Sequence, residues 1–250
     1  MIIEKSRGQE KEIAINDTRG NTYLYKGKTK KGRIIAGYTA DNELTFYGRN
    51  NNDFRANISK TLDALNIKSE YLRVPVVHKD QILFNTDDGE SDAIISEEKT
   101  IVLAPADCIG LLSYNTKTGH LAITHAGREG MGLRIIEKVA DKMKNIEENH
   151  WKHILPPHIH CYSYPHPTDD FMRGTWWEKH PEFVRKKGEI FYPDLESAFL
   201  FQLEKVLPKS DLKLAGLDTA KIPGASFKHN SKRQAHARNL FFIGYKQDEK

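Results

Sequence analysis

From residue 70 to residue 126 the chain passes through six apolar segments of strand length: EYLRVPVVH, QILFN, DAIIS, TIVLAPADC, IGLLSYN and HLAITHA. Polar or glycine-containing turns such as Asp87-Asp88-Gly89 and Lys117-Thr118-Gly119 separate them. So many short strands in succession exclude a helical bundle and demand a sheet-built core. The flanks add few helices. Asp53 is placed to cap a helix carrying Ile58, Leu62 and Leu65. A long amphipathic helix from about Gly130 carries Ile135, Ile136, Val139, Ala140 and Met143 on one face, and Asp194 caps a third helix with Leu195, Phe199, Leu203 and Val206. Residues 1–32 read as a β-rich apron whose apolar patches, Ile13 to Ile15 and Tyr23 to Tyr25, suit edge strands; RIIAGYTA, LTFYGRN, LKLAGL and NLFFIGY are further strands. Without strict βαβ alternation the pattern is α+β, with helices on the outer faces of sheets, and residues 1–250 form one domain.

Residues 150–190 break this regularity. They hold five prolines, five of the eleven histidines between His150 and His166, and the pair Trp176 and Trp177. The segment reads as a loop-rich insertion around one short strand, His158 to Tyr162. In that strand His158 and His160 share a face, Cys161 points the other way and His166 lies within reach. A polar, partly aromatic lid pinned to the core by the tryptophans is the preferred reading, because alternating histidines between prolines seldom define a tetrahedral metal site.

Composition narrows the function classes. No apolar run approaches the roughly 20 residues that cross a bilayer, and the first residues lack the apolar core of a signal peptide. Two cysteines, Cys108 and Cys161, make no disulfide framework and suit a reducing compartment, so the expected location is the cytoplasm. A net charge of +4 is too mild to mark a nucleic-acid binder but leaves room for a phosphate-bearing small molecule.

The chemistry concentrates in Ala104-Pro-Ala-Asp-Cys108 and in Thr124-His125-Ala-Gly-Arg-Glu-Gly-Met-Gly132. The strands LLSYN and HLAITH flank a Thr-Lys-Thr-Gly turn, so an antiparallel pairing returns the chain toward its start and brings His125 beside Cys108. A thiol beside an imidazole supports either a nucleophilic thiolate with a histidine base or a ligand pair for zinc or copper. His78, at the end of VPVVH, is the third ligand that would decide for metal. Taken singly, a cysteine or a strand-end histidine is more often a packed core residue.

The tract PADCIGLL…HLAITHAGREGMGLRIIEKV is similar to the laccase-domain family, also called the YfiH or PgeF type. Its pattern reads T-A-D-C-x-P-[LIV]-[LIV], then H-A-G-W-R-G before a helix. VPVVHKDQIL resembles the family's Q-V-H-G segment, SDAIIS its D-A-[LIV]-[LIV]-T run, and Cys161-Tyr162 its C-Y-E-V element. The resemblance implies a layered α/β/β/α sandwich with mixed β-sheets and outer helices. It implies three zinc ligands, His78, Cys108 and His125, with copper as the alternative metal. It also implies phosphorolysis of adenosine, inosine and methylthioadenosine, with deamination of adenosine beside it; the small-molecule partners are then a purine nucleoside and phosphate. Deamination needs a carboxylate that shuttles protons, and Asp107 is the nearest, although a strand would turn it away from Cys108. Gly127, Gly130 and Gly132, between a strand and a helix start, could seat phosphate with Arg128, or could simply serve a tight turn.

Four positions depart from the family pattern. Arg128 and Glu129 stand where it has tryptophan and arginine, Lys79 replaces a glycine, and Pro105 replaces a threonine. Glu129 would repel phosphate unless its side chain turns away. The tail residues Lys228, His229, Lys232, Arg233, His236 and Arg238 read as a solvated basic face. Three rival functions stay open: a copper-dependent phenol oxidase, a metal-free hydrolase using Cys108 and His125, and a metal-binding module without turnover. Monomer and homodimer are equally compatible with the chain.

Overall fold

The computed structural model describes residues 15–17, 20–40, 52–208, 211–222, 226 and 239–247. Its elements in chain order are β1 (Ile15–Asp17), β2 (Gly20–Thr29), β3 (Gly32–Ala40), α1 (Asn52–Ala64), β4 (Tyr71–Arg73), β5 (Ile82–Phe84), β6 (Ala93–Ser96), β7 (Thr100–Leu103), β8 (Ile109–Asn115) and β9 (Leu121–Ala126). There follow α2 (Arg128–Gly132), α3 (Ile135–Ile146), β10 (Trp151–Leu155), α4 (Trp176–Lys179), β11 (Val184–Lys187), β12 (Ile190–Pro193), α5 (Leu195–Val206), β13 (Asp211–Leu214) and β14 (Phe241–Tyr245). One six-stranded sheet runs β1-β2-β3-β14-β7-β4, a second runs β13-β10-β8-β9-β6-β5, and β11 pairs with β12. Both large sheets are mixed, since β4 lies parallel to β7, β5 to β6 and β13 to β10, among antiparallel neighbours.

The period-2 alternation of side chains explains the layers. Ile34, Ala36 and Tyr38 of β3, with Phe241, Ile243 and Tyr245 of β14, face Ile94, Leu112, Leu121, Ile123 and Ile154 of the second sheet. The intervening residues Ile35, Val102 and Phe242 point outward onto Phe54, Ile58 and Leu62 of α1. On the opposite side Ala93, Ile95, Ile109, Leu111 and Ala122 pack under α3 and α5, against Ile136, Val139, Ala140, Met143, Phe199 and Leu203. The order is helix, sheet, sheet, helices, which is the α+β layered sandwich. Strands covered on both faces need apolar residues at every position, and this is why the sequence shows near-continuous apolar runs. NLFFIGY supplies β14, which inserts between β3 and β7 at the centre of its sheet.

Three sequence expectations change. The helix expected from about Gly130 is broken into α2 and α3 at Arg134, which sits in the left-handed region with φ 63°. The Met131 carbonyl accepts from Gln202 Nε2 of α5 at 2.9 Å and from the Arg134 N–H at 3.0 Å, so the chain turns instead of extending one helix. The strand in the histidine-rich segment is β10, pairing with β8 and β13; His158 makes only an isolated bridge to Asp218, and residues 161–163 form a 3-10 turn. Residues after Arg73 leave the strand, because Pro75 lacks an N–H for the ladder, so His78 lies on an irregular loop and not at a strand end. Asp194 caps α5 as expected, accepting from the Ser197 N–H at 3.1 Å. The helix near Asp53 begins at Asn52. LTFYGRN, the basic tail 228–238 and residues 1–14, 18 and 19 of the N-terminal apron lie outside the described residues.

Candidate metal centre

The β8–β9 hairpin forms with the expected antiparallel pairing, and its register sets Ile109 opposite Ala126 and Gly110 opposite His125. Cys108, one residue before β8, is thereby carried to Gly127, where an added Cβ would lie 2.8 Å from the sulfur. Gly127 is thus required by the close approach of the thiol. His78 reaches the same place from the loop between β4 and β5. One donor atom each from His78, Cys108 and His125 lies within 4.8 Å of the other two.

A residue not singled out in the sequence holds this trio together. Asp92, fully buried before β6, accepts from His125 Nδ1 at 2.7 Å, from the His78 N–H at 3.1 Å and from the Lys79 N–H at 2.6 Å. Its backbone carbonyl accepts the His125 N–H at 2.6 Å. A carboxylate behind Nδ1 fixes the tautomer and leaves Nε2 as the ligand atom. The same carboxylate steadies a loop in which Val76 and His78 both take positive φ, 61° and 59°, a conformation that is costly for a β-branched valine. The sequence signal for Asp92 is the aspartate of SDAIIS, directly before an apolar run and at the first position of the segment that resembles the family's D-A-[LIV]-[LIV]-T run.

Electrostatics couple the group. Burial works to raise the Cys108 thiol, but the His125 and His78 rings outweigh it and bring the thiol down to about 7. Burial likewise works to lower His125, yet the Cys108 sulfur and the Asp92 carboxylate raise it to about 9. His78 is raised by its hydrogen bond to Cys108. Burial opposes the ionisation of Asp92, and its bonds to His125 and to two backbone N–H groups hold it below the usual carboxylate value. A thiolate with two imidazoles, one backed by a buried carboxylate, is a donor set that fits zinc.

The surrounding residues sort as follows. Asp107 is buried and accepts from Thr219 Oγ1 at 2.9 Å, so it does not join the converging donors. Lys79 turns out to solvent and pairs with Glu90 at 2.5 Å. Arg128 donates from Nη1 to His166 Nδ1 at 2.9 Å and from Nη2 to Glu129 at 3.1 Å, and its guanidinium lies over the Phe171 ring. Glu129 is more than half exposed, and its charge helps raise His78. Tyr164, also missed in the sequence, meets the His166 ring edge-on at 4.5 Å; burial first, then the Cys108 charge, push its phenol well above its ordinary value. His166 therefore belongs to the Arg128 side and not with His158 and His160. Trp177 is fully buried and donates to the Arg128 carbonyl at 2.8 Å, while Trp176 stacks on His180, which bears out the pinning role. Gly130 and Gly132 pack closely, Gly132 against Trp177. Cys161 donates toward the Tyr192 carbonyl at 3.3 Å, and burial pushes its thiol up to about 11.

A family profile described as multi-copper polyphenol oxidoreductase laccase matches residues 28–246. Among solved structures, the fold is similar to YlmD from Geobacillus stearothermophilus, with 18% identity over 94% of this chain and 100% of that one and a TM-score of 0.74. It is also similar to the hypothetical protein YfiH of Bacillus licheniformis, with 17% identity over 85% and 93% of the two chains and a TM-score of 0.70. A Neisseria meningitidis protein of the DUF152 family gives 14% identity, 90% and 99% coverage and a TM-score of 0.73. No curated protein matches the chain.

Proposed function

Because the chain belongs to the multi-copper polyphenol oxidoreductase laccase family, we propose that it is a zinc-dependent purine nucleoside enzyme whose chief reaction is phosphorolysis of adenosine, inosine or methylthioadenosine. The observation that carries this reading is the convergence of His78, Cys108 and His125 on one point, with Asp92 sealed behind them. Zinc held by these three would supply a Lewis acid and a water of pKa about 7. The chain's own residues do the rest. Asp92 keeps His125 in its ligating tautomer and clamps the His78 loop. Arg128, oriented by His166 and Phe171, is the cation assigned to phosphate, with the amides of Gly127 and Gly130 as further anion contacts. Tyr164 keeps its proton and offers an O–H donor on the same wall. In phosphorolysis a phosphate oxygen bonds to ribose C1′ as the C1′–N9 bond breaks, and the base leaves with the electron pair and takes up a proton.

Deamination of adenosine is the second reading. It is favoured by Glu129, a carboxylate in the field of His78, where phosphate binding alone would call for a cation. Glu129 takes the proton-shuttle role in place of Asp107, whose carboxylate is bonded to Thr219. Phenol oxidation with reduction of dioxygen to water moves four electrons, more than one copper in the His2Cys trio, or two coppers were His158, His160 and Glu196 to hold another, can store.

The test uses untagged, zinc-loaded protein and adenosine. Adenine with ribose 1-phosphate, formed only when phosphate is present, is the expected result; inosine and ammonia without phosphate would establish deamination. No consumption of adenosine, inosine or methylthioadenosine by metal-loaded protein under either condition would overturn the enzyme reading.

A further inference from the structure

Where the chain leaves β10, the Pro156–His160 segment runs beside the start of α5. His158 is 1% exposed, and its Nδ1 lies 3.1 Å from the Pro156 carbonyl. A carbonyl only accepts, so Nδ1 carries the proton and donates it, and a neutral ring then presents a lone pair at Nε2. That Nε2 faces the Glu196 carboxylate at 3.3 Å without a hydrogen bond to any group. A buried lone pair aimed at a carboxylate is unfavourable until a proton or a metal ion lies between them, and the second unpartnered nitrogen beside it points to the metal. The His160 ring stands next to it, 5.5 Å away between centroids, and its Nε2 is likewise shielded and without a partner. One donor atom from each of His158, His160 and Glu196 lies within 4.8 Å of the others.

We propose that His158, His160 and Glu196 form a second divalent-metal site, with two imidazole nitrogens and a carboxylate as donors, separate from the His78–Cys108–His125 trio. The backbone around it is set before any ion arrives. The His158 N–H donates to the Leu217 carbonyl at 3.3 Å, and the Thr219 N–H to the His158 carbonyl at 3.1 Å. Asp218 accepts from Ser163 Oγ and from the N–H groups of His160 and Ala220, and it is the Glu196 carboxylate that stands 3.3 Å from His158 Nε2 and completes the trio of donors. Glu196 stands in the first turn of α5, where a glutamate complements the helix dipole, but that role leaves His158 Nε2 unexplained. Nitrogen and oxygen donors of this kind select zinc and its first-row neighbours over magnesium or calcium. A metal here would tie the histidine-rich segment to α5. Through the bond from the Ile159 N–H to the Asp107 carbonyl, 2.8 Å, it would also stiffen the residue before Cys108. The proposal stands on its own geometry and does not require nucleoside chemistry at the first site.

Cobalt(II) titration of the full, untagged apo-protein separates the two sites, because only the first contains a thiolate and gives a sulfur-to-metal charge-transfer band. Two equivalents are expected in the parent protein. Cys108→Ser should lose the charge-transfer band and keep one equivalent, whereas His160→Ala and Glu196→Gln should each keep the band and lose the other equivalent. His160 and Glu196 are both partly exposed, so these variants avoid the buried His158, and circular dichroism verifies their folding. A parent protein that binds a single equivalent, carrying the charge-transfer band, would overturn the proposal and assign a proton to the His158–Glu196 contact. Persistence of two equivalents in both Glu196→Gln and His160→Ala would overturn it as well. The purine assay is read separately, and failure there leaves these stoichiometries unchanged.

Discussion

His125 and His158 are almost equally sealed from solvent, 2% and 1% exposed, and in each the Nδ1 is held by an oxygen while Nε2 faces a candidate ligand group. The oxygen differs. Behind His125 it is the buried Asp92 carboxylate, which raises the ring's basicity; behind His158 it is the neutral carbonyl of Pro156. The supports differ too. His125 belongs to a central strand of a sheet covered on both faces, whereas His158 lies on irregular chain between β10 and a 3-10 turn. A third buried histidine, His153 on β10, meets the Ser113 hydroxyl at 2.7 Å and, among the described residues, has no hydrogen-bond partner at Nε2; burial pushes it down to about 4. Burial alone thus makes a neutral histidine, and the partner behind the ring decides whether it becomes a strong ligand.

The largest effect is expected from Cys108→Ala. It removes the thiolate from the first trio and should lower kcat/KM for the purine substrate by on the order of 10³-fold, equivalent to about 4 kcal/mol of transition-state stabilisation. Steady-state assay of zinc-loaded protein measures it, and a loss smaller than tenfold would detach the trio from the chemistry.

Asp92→Asn comes next. It keeps an oxygen for the backbone N–H groups but removes the charge behind His125, and should weaken metal at the first site by roughly 10- to 100-fold. Competition with a chromophoric chelator reads this directly. The thiolate-free equivalent should be unchanged, and equal weakening of both equivalents would erase the contrast between the two centres.

His153→Asn tests the histidine whose ring is bonded to a neutral hydroxyl and whose burial outweighs the charge of Asp211. Its folded value of about 4 lies below the unfolded value near 6.5, so between these the unfolded chain binds more protons and stability falls as pH drops. Between pH 7 and pH 5 the parent protein should lose about 2 kcal/mol more than the variant, which has no ring to titrate. Urea unfolding at each pH gives the difference; parallel curves would show that His153 is not held neutral.

The smallest effect concerns order of metal release. With a neutral carbonyl behind His158 and no thiolate, the second centre should yield its metal to a chelator at lower concentration than the first, by about tenfold or more. In the cobalt-loaded protein the charge-transfer band should outlast the thiolate-free absorption. The reverse order would show that the Asp92 carboxylate and the thiolate add less than the comparison assigns to them.

The sheet-forming segments, the β8–β9 hairpin and the Asp194 cap were legible in the sequence. Each rests on contacts within a few residues: side-chain alternation, a tight turn, or an aspartate three residues before the N–H it accepts from. That locality placed Cys108 beside His125, and the family resemblance added His78. The tertiary structure alone decided what depends on chain far away in sequence. Gln202 from α5 takes up the Met131 carbonyl in the last turn of α2, and β8 recruits residues 151–155 as its neighbour, so that the strand is not at His158. Asp92 meets His125 across 33 residues, and Glu196 meets His158 across an intervening lid. A single polar residue beside an apolar run looks the same in sequence whether it faces water or a buried imidazole, because its partner is chosen by the packing of sheets and helices.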